Sequence, residues 1–204
     1  MLFRSRIEKA LSALRDFLPE LEELLLAHPF FSERARGLAR ISRSDAEAWN
    51  LLGPNARASG VLSQDVRFSR GYGAYKNASP EGAPAFLSAG DVLARAAIRS
   101  SEILQSMRLI EDAVRKIPSG NYRIRVGMEV SPAEGSAASV LEGPRGAIAA
   151  LAESGGGNCP ANIRFWGPSA MAVRRLPDLL LGNQVDDAFL VIHSLDISCS
   201  EVDK

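Results

Sequence analysis

The sequence predicts a mainly α fold with a small antiparallel β-sheet (α+β), and three observations carry that prediction. Residues 91–117 hold a long amphipathic pattern framed by a helix start and a helix stop. Residues 6–26 repeat leucine and isoleucine at helical spacing. Three short apolar runs between 138 and 166 are separated by glycine-containing turns, the pattern of a meander of strands.

In chain order, Ile7, Leu11, Leu14, Phe17 and Leu18 mark one helix face. Pro19 should interrupt it, and Leu21, Leu24, Leu25 and Leu26 form a second piece that stops near His28-Pro29. This pattern is already under way at Arg6 with no lead-in, so the chain reads as a fragment of a longer gene product. Ser44 and Glu47 have the spacing of a capping box, which predicts a helix ending before Gly53-Pro54. Residues 53–90 are rich in Gly, Pro, Ser and Asn and read as one long functional loop. Asp91–Ile117 should then span roughly 40 Å as a bundle helix, with Val92, Ala96, Ile103, Leu104, Met107, Ile110 and Val114 inward and Pro118-Ser-Gly120 as its stop.

The second half changes character. Tyr122–Val126 alternates weakly and reads as a strand, followed by strands at Ala138–Glu142, Ala147–Glu153 and Asn162–Trp166, with Gly155–Asn158 as a hairpin turn. Ala172–Leu181 reads as one short helix, and Val185–His193 as an apolar segment leading into the tail. The expected division is a helical part with a loop-rich centre over 1–120 and the sheet, further helices and tail over 121–204, built as one fold.

Composition excludes several classes of function. Lys plus Arg and Asp plus Glu are equal at 24 each, so no net field draws the chain to nucleic acid or anionic lipid. Cys159 and Cys199 form no CxxC pair and only two histidines exist, which argues against a zinc or iron site built within this chain. No apolar run approaches the roughly 20 residues of a membrane-spanning helix, so a membrane role would run through partners.

Three clusters could carry chemistry. In Gly53-Pro-Asn-Ala-Arg57-Ala-Ser-Gly60 with Asp65-Val-Arg67, the glycines permit close backbone approach and the arginines supply forks for carboxylates. By itself this reads as a tight loop pinned by ion pairs, and it lacks the Gly-Lys of a phosphate loop. Glu142-Gly-Pro-Arg145-Gly146 would hold a guanidinium on a rigid turn, although by composition alone a hairpin arginine facing solvent is the simpler reading. His193, Asp196 and Cys199 crowd the tail, but triad members normally come from separate elements. Cys199 alone reads as a buried small hydrophobe.

Taken in order, these clusters resemble one family. Phe30–Gly37, Gly53-Pro-x-x-Arg57-Ala-Ser-Gly60 with Asp65 and Arg67, Tyr72-x-x-Tyr75, Gly90-Asp91-x-x-x-Arg95 with Arg99, Glu102, Gln105 and Ser106, Pro144-Arg145-Gly146, and Ser194-Leu-Asp196 with Glu201-Val-Asp203 match the C-terminal half of the quinone-site subunit of respiratory complex I. That subunit is similar to the large subunit of membrane-bound nickel-iron hydrogenases. The resemblance implies a truncated helical bundle of the hydrogenase large-subunit type, docked on an iron-sulfur partner above a membrane arm at the cytoplasmic face. It implies NADH-quinone oxidoreductase function within the assembly, with quinone as substrate, the cluster in the partner, and no metal or cofactor held by this chain.

Carried over residue by residue, the resemblance places Asp196 and Arg145 at the reaction cavity, with Gly146, Ser198 and Cys199 lining it. Gly53, Pro54, Arg57, Gly60, Asp65 and Arg67 are the structural signature. There are departures. Ala147 follows Pro-Arg-Gly where the family has an acidic residue, and Trp166 replaces a basic one. The 118–142 segment is short, as in the hydrogenase relatives. The hydrogenase tail has Cys-x-x-Cys as metal ligands; here Asp196 takes the first place and only Cys199 remains, which favours quinone chemistry over hydrogen activation. The alternative is the large subunit of an energy-converting hydrogenase-type complex that has lost its metal.

Overall fold

The computed structural model describes residues 2–62, 65–69, 75, 84–118, 120, 121 and 123–203. Ten α-helices and three strands occur among them. Tyr72 of the family motif and Tyr122 of the expected first strand lie outside the described residues.

Helix α1 (Leu2–Glu22) runs straight through Pro19, and the irregularity falls later, in a π-helical turn at Glu23–Ala27 closed by His28 N–H donating to the Glu23 carbonyl at 2.9 Å. Proline removes one donor and crowds the preceding turn. Here the helix absorbs that loss, because Leu11 and Leu18 hold this stretch of α1 against the core. Helix α2 (Pro29–Ala35) starts with proline in its first turn, where no donor is lost. Helix α3 (Arg43–Ala48) is capped by Ser42 rather than Ser44: the Ser42 hydroxyl accepts from Asp45 N–H at 3.1 Å. The helix start thus lies two residues before the expected one, and Asp45 Oδ2 accepts from the Ser42 hydroxyl at 2.6 Å.

The expected loop of residues 53–90 contains two helices, α4 (Gly53–Ala58) and α5 (Val66–Ser69). All six residues of α4 are buried, so this helix is at the centre of the molecule. No periodicity announced it, because a helix buried on every side has no polar face to alternate with. Helix α6 (Val92–Lys116) matches the expectation closely: Asp91 caps it, accepting from Ala94 N–H at 2.8 Å, and its other carboxylate oxygen takes Gly37 N–H at 2.8 Å. Its stripe is only partly covered. Val92, Met107 and Val114 are buried, whereas Ile103, Leu104 and Ile110 are more than a third exposed.

Strands β1 (Gly135–Gly143), β2 (Gly146–Ser154) and β3 (Pro160–Trp166) form an antiparallel meander in that order. Gly143 pairs with Gly146 around the Pro144-Arg145 turn. Residues 123–126, expected as strand, have no regular structure, and Ile124 is 84% exposed. An alternating run without a neighbouring edge has nothing to pair with. The expected single helix at 172–181 is two, α7 (Ser169–Arg174) and α8 (Leu176–Leu180), because Pro177 in the first turn of α8 forces a break at Arg175. A 3₁₀ turn (Val185–Asp187) leads into α9 (Ala188–Leu195), and α10 (Cys199–Val202) ends the tail. The main core gathers Ile41, Ala46, Leu51, Ala56, Val92, Leu179, Val191 and Leu195, so α4, α6, α8 and α9 share one interior.

Candidate functional site

The site begins with a backbone contact between two distant motifs. Gly53, at φ +62°, opens α4 directly under the Arg145 carbonyl and leaves no room for a Cβ; Gly146, at φ +129°, is also hemmed in, and a Cβ there would stand 2.8 Å from Gly53 N. Only glycine at both places lets the Pro-Arg-Gly turn seat on the start of α4. The seating fixes where the turn aims its arginine.

Arg145 reaches the tail. Its Nε donates to the Asp196 carbonyl at 2.8 Å and its Nη2 to Asp196 Oδ1 at 3.2 Å, while Nη1 stands 3.8 Å from Glu201 Oε1. Asp196 sits in the left-handed region (φ 52°, ψ 53°) as the C-cap of α9, a conformation aspartate tolerates better than most residues. Both side chains are about one-third exposed, so the pair is held yet reachable. The sequence reading of a solvent-facing hairpin arginine is therefore corrected: the two residues singled out for chemistry are in contact.

The tail is anchored by residues that the sequence did not single out. Glu201 Oε2 accepts from Ser169 N–H at 3.1 Å and Ser169 Oγ at 2.5 Å, and Ser198 N–H donates to the same hydroxyl at 3.1 Å. Asn55, an unmarked position of the first motif, donates to the Leu195 carbonyl at 2.9 Å and accepts from Arg99 Nη2 at 3.2 Å. Nothing in the residue types at Ser169 or Asn55 could have flagged them; for Asn55 the only signal was its place inside the motif. Burial holds the Arg99 guanidinium below its ordinary value, Asp196 and Glu102 oppose that shift, and Arg145 adds to it. Arg95 is fully buried and pushed down to about 10, first by desolvation and then by Arg99, against Asp91. It binds the Ala39 and Gly90 carbonyls and the Ser194 hydroxyl, tying α6 to the residue two before Asp196.

Behind the turn lies a buried charge cluster. Arg57 Nε donates to Glu102 Oε1 at 2.6 Å, and its Nη1 stands 3.5 Å from Glu142 and 3.7 Å from Asp65. Arg67 binds Asp65 with two nitrogens, at 3.0 and 2.6 Å. The motif is thus pinned by ion pairs, as expected, but from within a helix rather than a loop. Desolvation would lower Arg67, yet the Asp65 hydrogen bonds and surrounding carboxylates hold it above its ordinary value. Glu142 is pushed up, by burial first and Asp65 second, against Val66 N–H, Arg57 and Arg67.

That direction fixes a pH dependence. A glutamate whose folded pKa exceeds its unfolded value contributes stability in acid and loses it as pH rises through the folded value. Relative to wild type, Glu142→Gln should gain stability progressively as pH rises from about 4.5, read from urea midpoints at a series of pH values. A constant difference would contradict the burial of a charged carboxylate.

Of the remaining selected residues, Ser198 joins the Ser169 hydroxyl and Gly60 closes α4. Cys199 is exposed and free rather than buried, one turn beyond Asp196. Among the described residues no three His, Cys, Asp or Glu side chains converge as metal ligands would, and no helix is long and apolar enough to cross a membrane.

The family model described as respiratory-chain NADH dehydrogenase, 49 Kd subunit, matches residues 2–130 and 124–204. An NADH-quinone oxidoreductase subunit of Carboxydothermus hydrogenoformans is 33% identical over 203 residues, covering 97% of this chain and 54% of its own length. The subunit of the same name in Chloroherpeton thalassium is 32% identical over 219 residues, covering 94% and 49%. A chain in the structure of the membrane-bound sulfane sulfur reductase, an archaeal respiratory membrane complex, superposes with TM-score 0.89 at 28% identity, over 98% of this chain and 55% of that one. This chain spans about half the length of the relatives it matches. With matches over nearly every residue and both motif clusters built into one site, the chain belongs to the family of the respiratory-chain NADH dehydrogenase 49 Kd subunit.

Proposed function

We propose that this chain forms one wall of a quinone-reduction cavity in a membrane-associated, complex I-like NADH-quinone oxidoreductase. In this reading an iron-sulfur partner subunit docks beside it and supplies electrons, other subunits link it to the membrane arm, and the chain is peripheral at the cytoplasmic face. The observation that carries the reading is the Arg145–Asp196 pair, partly exposed and fixed by the turn on α4.

Reducing a quinone to a quinol adds two electrons and two protons. The electrons come from the partner's cluster, so the protein's work is to place the ring and manage charge. Arg145 stabilises negative charge developing on a quinone oxygen. Asp196 orients that guanidinium through its carbonyl and Oδ1 and can pass a proton. Gly146, Ser198 and Cys199 border the same space. Gly53, Pro54, Arg57, Gly60, Asp65 and Arg67 shape the wall from behind.

A second acceptor is favoured by one observation: the superposed chain belongs to a sulfane sulfur reductase, and here an exposed thiol, Cys199, follows Asp196. Thiolate ligation of nickel at the tail would need a second cysteine where Asp196 stands. A photoreactive quinone analogue bound to the full-length protein in its complex separates the readings. Cross-links should map to peptides holding Arg145 and Asp196 and be competed by quinone. Competition by polysulfide alone would assign the site to sulfur chemistry.

A further inference from the structure

The last turn of a helix leaves backbone carbonyls without partners inside the helix, and at the end of α9 three elements supply donors in succession. Arg95, from α6, donates from Nε to the Ser194 hydroxyl at 3.0 Å. Asn55, from α4, donates to the Leu195 carbonyl at 2.9 Å, and Arg145, from the turn between β1 and β2, to the Asp196 carbonyl at 2.8 Å. Of these three donors Asn55 alone carries no charge. It stands at an open position of the Gly-Pro-x-x-Arg motif, so the motif does not account for its presence.

Asn55 is 7% exposed, and both ends of its amide are engaged: Nδ2 by the Leu195 carbonyl, Oδ1 by Arg99 Nη2 at 3.2 Å. Only this orientation of the amide satisfies both partners, since a guanidinium cannot accept and a carbonyl cannot donate. Arg99 is a cation that the proposed reaction does not use. Its Nη1 is tied to the Arg95 carbonyl at 2.9 Å, and it lies within electrostatic reach of both Asp196 and Arg145. The amide therefore links a fixed cation to the residue preceding Asp196. Two residues earlier on α4, Gly53 seats the turn that carries Arg145. The first turn of α4 thus holds both members of the pair, Arg145 through Gly53 and Asp196 through Asn55.

We propose that Asn55 is a positioning residue of the site: its bridge from Arg99 to the Leu195 carbonyl keeps Asp196 in the left-handed cap from which the carboxylate meets Arg145. A positive φ (here 52°) is a conformation that a residue with a side chain leaves readily unless its neighbours are held. Without the bridge the Leu195 peptide is free to turn, residue 196 relaxes toward the β region, and Oδ1 moves away from Arg145 Nη2. Leucine offers neither a donor nor an acceptor, and serine is too short to span both partners. This inference rests on the reading of Arg145 and Asp196 as the working pair.

Asn55→Leu in the full-length protein within the assembled complex tests it, because the side chain keeps nearly the same size. For added quinone, kcat should fall about 10-fold with KM within about twofold of wild type, the pattern of a misplaced reacting group rather than of lost substrate binding. Amide exchange should quicken at Asp196 and Ser198 and stay unchanged across α6, whereas a general loss of stability would raise both. Combined with Asp196→Asn, Asn55→Leu should cost far less than the product of the two single losses, because both act on one pair. Should Asn55→Leu fail to assemble, Asn55→Ser carries the same expectations. Asn183→Leu removes a similar amide bond, to the Leu179 carbonyl at the end of α8, and should change none of these readouts. Unchanged exchange at Asp196 and Ser198 overturns the inference, and so do losses that multiply. An inert Asp196→Asn beside quickened exchange would instead strike the quinone reading and leave the hold of Asn55 on the tail standing.

Discussion

Arg57→Leu is expected to destabilise the fold by about 4 kcal/mol at neutral pH, the cost of removing one partner from a buried charge network. The Arg57 side chain is 1% exposed, and three carboxylates, Asp65, Glu102 and Glu142, lie within 4 Å of its nitrogens. Leucine fills part of the volume but leaves those carboxylates facing one another with Arg67 as the remaining cation beside Asp65. The deficit should shrink in acid, where the uncompensated groups take up protons. Adding Glu142→Gln should recover part of the loss, since Glu142 is already the group that burial pushes toward its neutral form. Urea unfolding at pH 7 and pH 5 checks both statements. A loss under 1 kcal/mol, or one independent of pH, would mean the cluster is hydrated rather than buried.

Gly53→Ala should cost about 3 kcal/mol and loosen the site. A left-handed conformation costs an L-residue on the order of 1–2 kcal/mol, and forcing a methyl into a filled space adds about 1–3. The added Cβ would meet the Arg145 carbonyl and stand 2.6 Å from Gly146 N, both backbone atoms of the turn that aims the guanidinium. Gly60→Ala is the internal control: φ is +80°, but the nearest atoms lie at 3.7 Å, so only the conformational part is lost. Thermal unfolding should rank Gly53→Ala well below Gly60→Ala. Equal losses would show that the turn does not rest on α4.

These two predictions fall on motifs that the sequence displayed without displaying their form. Gly53 and Arg57 were conspicuous as glycine and arginine in a fixed spacing, yet the helix they begin was hidden, because complete burial removes the polar alternation that reveals a helix. Helix α6 was legible for the opposite reason, having a covered and an open side with Asp91 at its start, and the three strands were legible from the glycine-containing turns between them. Asp196 and Arg145 stood out by their motifs, and the geometry adds why they meet. Ser169 and Asn55 were not legible, since a buried serine and asparagine are recognised only by the backbone groups they satisfy. The apolar run at 172–181 has the length of one helix, but Pro177 cannot donate to the preceding turn and splits it at Arg175.

The central claim is that Arg145 and Asp196 work as a unit on a quinone. Its most direct test is Asp196→Asn in the full-length protein within the assembled complex, measuring the rate at which added quinone reoxidises the NADH-reduced iron-sulfur centres. The substitution keeps the carbonyl that accepts from Arg145 Nε and removes only the charge beside Nη2. The rate should fall by about 10²-fold, the scale of a lost proton-transfer group, with assembly and cluster reduction by NADH unchanged. An unaltered quinone rate in a correctly assembled complex would contradict the account.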